Sequence, residues 1–281
     1  MPRRAIDAIL LQERPPYLAI AVQPISPVIG AEIGGVDLRL ELSCGQREEL
    51  RRALQENHVL VFRDQSISAA GRRRLACLLG FAPAHAGPGR TREDEAQAAE
   101  SVILAETWRA DETWRETPPV GAVLHIHRAA GRGAGGDMLF ANMQLAYEML
   151  SPQLKALLAD LSAVHARVPS AGRQAQAGAA AEHPVVVRHP ATGRPALFVN
   201  RAYTSHIPQL EPEDSDMTLE ALYRHLEDKP VLTCRIRWAQ DAVVVWDNRA
   251  TQHLTLQDFS PGSVSGQLAP MAGDRPERPD A

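Results

Sequence analysis

The chain has 281 residues, of which 44% are hydrophobic and 23% charged, and its formal net charge is −4. This length suits one large domain or two small ones, and the nearly balanced charge gives no sign of a nucleic-acid or anionic-membrane partner. No apolar run is long enough to span a bilayer, and Asp7 and Glu13 interrupt any signal-peptide core. Three widely spaced cysteines are typical of ordinary thiols in a reducing compartment, so we expect a cytoplasmic protein.

The first part of the chain predicts short strands that alternate with helices. Residues 17–38 alternate apolar and polar side chains around several glycines, which favours strands and turns. Ser43 and Ser68 are predicted N-caps of two helices, and the apolar run 58–62 between them predicts a buried strand. Residues 83–107, rich at first in Gly, Pro, Ala and charge, predict a mobile loop.

The second part continues the pattern of strands with a few helices. Its apolar runs predict strands at 120–127, 197–200, 231–238 and 243–245. Helical spacing is found in residues 143–161, with a break near Ser151-Pro152, and in the stretch that contains Leu219, Leu222, Tyr223 and Leu226. Small residues predict a second mobile loop at 170–182. We therefore predict a β-rich core with helical cladding, which the pattern alone does not distinguish from other sandwiches.

Six segments resemble, in the same order along the chain, motifs of the TauD/TfdA family of Fe(II)/2-oxoglutarate-dependent dioxygenases. They are residues 29–38, 59–65, 111–119, 135–142, 200–207 and 246–253. The resemblance implies a mainly β fold with helical cladding (α+β), the double-stranded β-helix or jelly roll of the clavaminate synthase/TauD-like type. We expect an N-terminal extension at 1–17, a single jelly-roll domain at 18–273 and a disordered tail at 274–281.

The resemblance also implies where a metal site lies. Members of the family hold Fe(II) with a His-x-Asp pair and a distant His, which leaves positions open for 2-oxoglutarate and oxygen. The distant ligand matches His253 and the carboxylate matches Asp111, but the first His position is Arg109. Because an arginine side chain stays protonated and has no lone pair to donate, it is not an ordinary metal ligand.

The co-substrate positions of the family differ as well. A family Thr that hydrogen-bonds 2-oxoglutarate matches Met138, whose thioether donates no hydrogen bond. The arginine that clamps the 2-oxoglutarate carboxylate matches Leu268, and a second family arginine matches Val264. No Lys or Arg lies between Arg249 and Arg275, so the sequence offers no local substitute for a bidentate clamp.

These differences predict a repurposed small-molecule-binding protein, a metal-independent tailoring enzyme or a pseudo-oxygenase, with no cofactor. Arg109 and Asp111 are two residues apart and point the same way on an extended segment, so we hypothesise that the Arg109 cation replaces Fe(II), with His253 as third member. Three interpretations stay open for this cluster: a filled structural site, a pocket for a carboxylate or phosphate, or metal-free acid–base chemistry.

Two rival interpretations also stay open. One is a working Fe(II)/2-oxoglutarate dioxygenase with an atypical metal site, in which Asp111 and His253 bind the metal and His125 or His127 completes the set. The other is a non-catalytic partner of an active paralogue, and a homo-oligomer is a further open alternative. The Arg- and Ala-rich composition fits a bacterial protein, and the resemblance makes a role in secondary metabolism plausible.

Four further residues are substrate-binding candidates by resemblance or position. His85 matches a substrate-contacting His of relatives, with a surface-loop His as the alternative. Trp108 is expected to line a pocket or pack in its wall. Asn200 and Arg201 match a family segment near the site, and a structural ion pair is the alternative for Arg201.

Overall fold

The computed structural model describes residues 6–8, 11, 14–80, 105–129, 135–167, 179–260 and 263–280. Its strands are β1 (Ala21–Pro24), β2 (Ala31–Gly34), β3 (Val59–Phe62), β4 (Gly121–Ala129), β5 (Met138–Asn142), β6 (Ser162–Ala166), β7 (Ala180–Pro184), β8 (Val186–Arg188), β9 (Pro195–Leu197), β10 (Thr204–His206), β11 (Thr233–Ile236), β12 (Val243–Asp247), β13 (Thr251–Thr255) and β14 (Val264–Pro270). Its helices are α1 (Cys44–Asn57), α2 (Ala69–Leu78), α3 (Met143–Glu148), α4 (Pro152–Leu158) and α5 (Pro212–Glu227), followed by a 3₁₀ turn at Pro230–Leu232.

A six-stranded sheet with the order β1-β2-β3-β12-β4-β14 forms one wall of the fold, and we call it the major sheet. All its pairs are antiparallel except β2 with β3. Strand β12 lies in the middle and is buried on both faces, because Val244 and Trp246 point to one side and Val243 and Val245 to the other. This explains why its sequence is a continuous apolar run.

Helices α1 and α2 cover one face of the major sheet, and we call the apolar layer between them the outer core. Ser43 caps α1 with a complete capping box that includes Gln46, and Ser68 caps α2, as predicted. The buried face of α1, with Leu50 and Leu54, packs in the same layer as Phe62 of β3. Within the described residues, no helix combines the length and the hydropathy needed to cross a membrane.

The opposite face of the major sheet forms an inner core with a second, three-stranded sheet of order β11-β5-β13, which we call the minor sheet. Two glycines lead into β5: Gly135 and Gly136 have φ of 78° and 79°, and Gly136 donates a 2.6 Å hydrogen bond to Asp258 Oδ1. A side chain at Gly135 would collide with the backbone of Asp258. Glycine is therefore required where the chain enters the minor sheet.

Several boundaries differ from the predictions. The strand predicted at 231–238 begins with the 3₁₀ turn and ends at Ile236, and the one predicted at 197–200 ends at Leu197. The break near Ser151 is confirmed, with Ser151 as the cap of α4. Of the two predicted loops, residues 83–104 and 170–178 lie outside the described residues, whereas 180–182 belong to β7.

The C-terminal segment also differs from the prediction of disorder. Arg188 donates a backbone hydrogen bond of 2.8 Å to the Glu277 carbonyl, and its guanidinium lies 3.2 Å from the Glu277 carboxylate. Arg278 donates a hydrogen bond of 2.9 Å to Ser162. Backbone and side-chain contacts together therefore hold the segment against β8 and the start of β6. The polar, Pro-rich sequence of the segment does not indicate these contacts.

Candidate functional site

Strand β13 pairs with the extended segment that carries Arg109. The two backbones exchange hydrogen bonds, from Arg109 N to His253 O at 3.1 Å and from His253 N to Arg109 O at 2.8 Å. Directly opposed residues of an antiparallel pair project to the same face, and so does the residue two further along. The fold therefore brings Arg109, Asp111 and His253 together from positions that are far apart in the sequence.

The three side chains lie within contact distance. Nε2 of His253 is 3.5 Å from Oδ1 of Asp111, and Nε of Arg109 is 3.9 Å from the same oxygen. The latter distance is too long for a hydrogen bond, so this contact is ionic. The His253 side chain is fully buried, and those of Arg109 and Asp111 are each 12% exposed. The cluster is thus a largely dehydrated place in which charge is costly.

Burial and the neighbouring cation determine the protonation of the cluster. Burial raises the pKa of Asp111 above its ordinary value, and the positive charge of Arg109 opposes that rise. Burial, aided by the same cation, lowers the pKa of His253 well below its ordinary value. The imidazole is therefore neutral at physiological pH, and Arg109 carries the positive charge of the cluster.

Aromatic rings hold the His253 side chain in place. Its ring centroid lies 5.7 Å from that of Phe140 and 5.4 Å from that of Trp246. Within the described part of the chain, neither ring nitrogen of His253 has a hydrogen-bond partner, and neither has Oδ2 of Asp111. Buried polar atoms without partners are uncommon in folded proteins. The His253 ring and the Asp111 carboxylate can therefore each form a further hydrogen bond.

Asn248 positions the Asp111 segment, a role that the sequence analysis missed. Its Oδ1 accepts a 2.7 Å hydrogen bond from the Asp111 backbone N–H. Its Nδ2 donates to the carbonyls of Asp111 at 3.0 Å and Pro119 at 2.8 Å. Because Asn248 follows β12 directly, it ties the candidate site to the centre of the major sheet.

Tyr203 is a second neighbour that the sequence analysis missed. Its phenol lies within hydrogen-bonding reach of the Arg109 guanidinium, and burial raises its pKa. The turn that carries Tyr203 is fixed by Asn200, whose Oδ1 accepts from Tyr203 N at 3.0 Å and whose Nδ2 donates to Thr113 Oγ1 at 3.0 Å. Asn200 therefore links the Tyr203 turn to the Asp111 segment.

The other substrate-binding candidates lie elsewhere, with one outside the described residues. Trp108 lines a small pocket with Leu222 and Gln252. It projects away from the cluster because neighbouring residues of an extended segment point to opposite faces. Arg201 lies on the surface and forms ion pairs of 2.9 Å with both Glu220 and Glu227. The structural alternative for Arg201 therefore fits its contacts. His85 lies outside the described residues.

Apolar side chains occupy the three co-substrate positions implied by the resemblance. Met138 is fully buried at the start of β5, and Val264 and Leu268 are buried on β14. All three belong to the inner core. None of these side chains offers a charged or strongly polar contact for a keto-acid.

His125 and His127 do not reach the cluster. Their neighbours on β4, Leu124 and Ile126, belong to the inner core, so alternation sends both imidazoles to the outer face of the major sheet. His125 is buried there and lies 3.4 Å from Asp241. The hypothesis that either histidine completes a metal site with Asp111 and His253 is therefore wrong.

The residues of the cluster do not fit an ordinary three-ligand Fe(II) site. Two of the three positions carry groups that bind metals, but the third carries a guanidinium close to the carboxylate. In the described ranges, no group of three His, Cys, Asp or Glu side chains is arranged to hold a metal ion. A fixed positive charge at this position opposes the approach of a divalent cation.

Two sheets that face one another across an apolar core are typical of the double-stranded β-helix class. The chain matches the family described as Taurine catabolism dioxygenase TauD, TfdA family over residues 21–266, and it belongs to the TauD/TfdA family.

Individual relatives agree with this family assignment. The alpha-ketoglutarate-dependent dioxygenase cnsM of Penicillium expansum is 33% identical over 90% of this chain and 78% of its own length. The alpha-ketoglutarate-dependent dioxygenase cnsP of the same organism is 31% identical over 87% of this chain and 72% of its own. The crystal structure of a taurine dioxygenase from Burkholderia xenovorans superposes with a TM-score of 0.79 at 30% identity, covering 94% of this chain and 92% of that one. The predicted jelly-roll fold is thus confirmed.

Proposed function

We propose that this member of the TauD/TfdA family no longer performs Fe(II)/2-oxoglutarate chemistry and uses its central cluster to bind a small carboxylate. The observation that carries the proposal is the guanidinium of Arg109, 3.9 Å from Asp111, at the position where the family resemblance implies a metal ligand. Arginine supplies a permanent cation and a fork of N–H donors, which suit a carboxylate and not a metal.

The surroundings of Arg109 support this role. Tyr203 adds a hydroxyl beside the guanidinium, and His253 stays neutral and so adds no competing charge. The positions at which relatives are expected to anchor 2-oxoglutarate carry Met138, Val264 and Leu268. A keto-acid therefore has Arg109 as its charged partner in this region, and no second arginine on β14.

The test combines metal analysis with turnover and binding. We expect the protein purified with excess Fe(II) to retain no stoichiometric iron and to show no oxygen-dependent consumption of 2-oxoglutarate. We also expect small carboxylates to protect the protein against thermal unfolding, and the Arg109→Met variant to lose this protection. Stoichiometric iron with robust turnover, or equal protection in the variant, would contradict the proposal.

The same assay includes the variant Arg109→His, which restores the first ligand of the family triad. We expect this variant to stay inactive with 2-oxoglutarate because Met138 and Leu268 still provide no anchor for the co-substrate. The triple variant with Met138→Thr and Leu268→Arg is the matched comparison. Rapid 2-oxoglutarate consumption by Arg109→His alone would contradict this prediction.

A second candidate function is a working 2-oxoglutarate-dependent dioxygenase with an atypical metal site. The similarity to the two alpha-ketoglutarate-dependent dioxygenases of Penicillium expansum supports it. In that case Asp111 and His253 are the two protein ligands, and the bound iron supplies oxygen activation. An iron titration that gives saturable, oxygen-dependent turnover in the unmodified protein, lost in Asp111→Asn, would favour this candidate.

A further inference from the structure

We propose that a groove between α1 and α2, which we call the α1–α2 groove, binds a free single-chain carboxylate with an alkyl tail, such as a medium-chain fatty acid. The groove has a volume of about 310 Å³, which is at the lower end of the range for small-molecule sites. It lies on the helical side of the major sheet, opposite the inner core, so the proposal is independent of the function proposed for Arg109.

The floor of the groove is apolar and partly open to water. Leu40, Leu75 and Leu78 are among the leucines that line it. Leu75 belongs to the outer core, whereas Leu40 is 63% exposed, which is high for a leucine. An alkyl chain laid along this floor removes apolar surface from water, and this contributes binding free energy in proportion to the area covered.

Three guanidiniums at the groove lack carboxylate neighbours. No Asp or Glu oxygen of the described residues lies within 4 Å of Arg47, Arg51 or Arg74, in contrast to Arg39, which pairs with Asp37 at 2.7 Å. Backbone carbonyls hold two of them: Arg51 donates to Leu78 O at 2.6 Å and Arg74 to Leu38 O at 2.9 Å. Their positive charge is therefore positioned but not neutralised.

Charge complementarity determines the occupant. A guanidinium has five N–H donors, so each of these arginines keeps donors for an anionic headgroup. The lining contains Glu41 as its acidic member, which leaves an excess of two positive charges. An anion with an apolar tail of medium length satisfies both the charges and the leucine floor, whereas a purely polar anion leaves the floor exposed to water.

The test is calorimetric titration of the full chain with octanoate, butyrate and octanol, in the Arg109→Met variant so that the carboxylate site proposed at the central cluster does not contribute. We expect octanoate to bind with one molecule per chain. Butyrate and octanol should bind at least about tenfold more weakly, because butyrate has only a short tail and octanol has no charge. The proposal is overturned if the three probes bind alike, if octanoate binds at many equivalent sites, or if only anionic vesicles and not free octanoate bind.

Two pairs of variants link binding to the groove. Arg47→Met removes the guanidinium with the least structural role, whose hydrogen bond goes to Cys44 Sγ, and we expect about tenfold weaker octanoate binding. Arg224→Met on α5 is the matched control. Leu40→Ser should weaken binding, whereas Met217→Ser, at a residue 65% exposed on α5, should not. Equal effects within either pair would overturn the proposal.

Discussion

At the scale of single residues, Arg109 compensates a charge that would otherwise be costly. Asp111 is removed from water, and burial alone raises its pKa. A carboxylate in such a place is tolerated when a cation lies nearby. Arg109 is that cation, because His253 is kept neutral by its own burial. Within the described residues, Oδ2 of Asp111 and both ring nitrogens of His253 have no hydrogen-bond partner, so the cation offsets the charge of the cluster but not all of its hydrogen-bonding capacity.

Removal of the Arg109 charge should destabilise the protein. We expect Arg109→Met to lower the free energy of unfolding at pH 7 by about 2 kcal/mol, since it leaves Asp111 buried without its cation. The double variant with Asp111→Asn should recover part of this loss, because the uncompensated charge is then gone. Urea denaturation of the two single variants and the double variant measures the coupling. Strictly additive losses would contradict a direct interaction.

Residue-level prediction succeeded where a position within a motif was decisive. The sequence showed that Arg109 and Asp111 are two residues apart and that His253 follows the strand β12. The fold brings these three side chains together. Tyr203 and Asn248 were not predicted as neighbours of the cluster. Tyr203 reaches Arg109 because Asn200 fixes the turn that carries it. Contacts between such distant residues produce no recognisable pattern in the local sequence.

At the scale of secondary-structure elements, alternation along β4 decides what each histidine can do. The sequence Leu124-His125-Ile126-His127 directs the apolar side chains to the inner core and the imidazoles to the outer face. The spacing of the two histidines was visible in the sequence, but the face was not. Because β4 is buried on both faces, the alternation shows that the two imidazoles share a face but not which of the two apolar layers they enter.

The capping box of α1 provides a test of element stability. Ser43 accepts from Gln46 N at 3.2 Å, and the Gln46 side chain accepts from Ser43 N at 3.0 Å. We expect Ser43→Ala to lower the free energy of unfolding by about 1 kcal/mol. Ser43→Asp keeps a side-chain acceptor and should stay within about 0.5 kcal/mol of the original protein. Thermal unfolding of both variants provides the measurement, and equal losses would contradict a capping role.

At the scale of the whole molecule, buried imidazoles link stability to pH. Burial is the main cause that lowers the pKa of His58 and His165 to about 3 and that of His125 to about 4. In the unfolded chain each imidazole takes up a proton near pH 6.5. Between about pH 4 and 6.5 the unfolded state therefore binds more protons, so the free energy of unfolding decreases as the pH falls.

We expect the free energy of unfolding to decrease, as the pH falls, by at most about 1.4 kcal/mol per pH unit for each imidazole. The raised pKa of Asp111 partly opposes this decrease, because the folded state then binds more protons at this carboxyl group. Urea denaturation at several pH values between 7 and 5 measures the slope. His165→Asn should reduce the slope, and the exposed His206→Asn should leave it unchanged. A slope near zero in the original protein would contradict the prediction.

Most strands and helices were predictable because apolar runs and N-caps are local signals. The jelly roll itself was predicted from the resemblance of six segments to the motifs of one family. Contacts between residues far apart in the sequence were harder to predict. The C-terminal segment is an example, because its attachment depends on Arg188 and Ser162. Composition alone therefore predicted disorder where tertiary hydrogen bonds produce order.

The segment with Arg109 joins β13 through an isolated bridge between Arg109 and His253 and through a further main-chain hydrogen bond of 2.7 Å from Thr255 N to Ala105 O. These three hydrogen bonds use main-chain atoms only, so they do not depend on which side chain stands at position 109. An exchange of histidine and arginine at position 109 therefore changes the charge of the central cluster without removing any of these main-chain hydrogen bonds. The fold can therefore be kept while the charge at this one position changes.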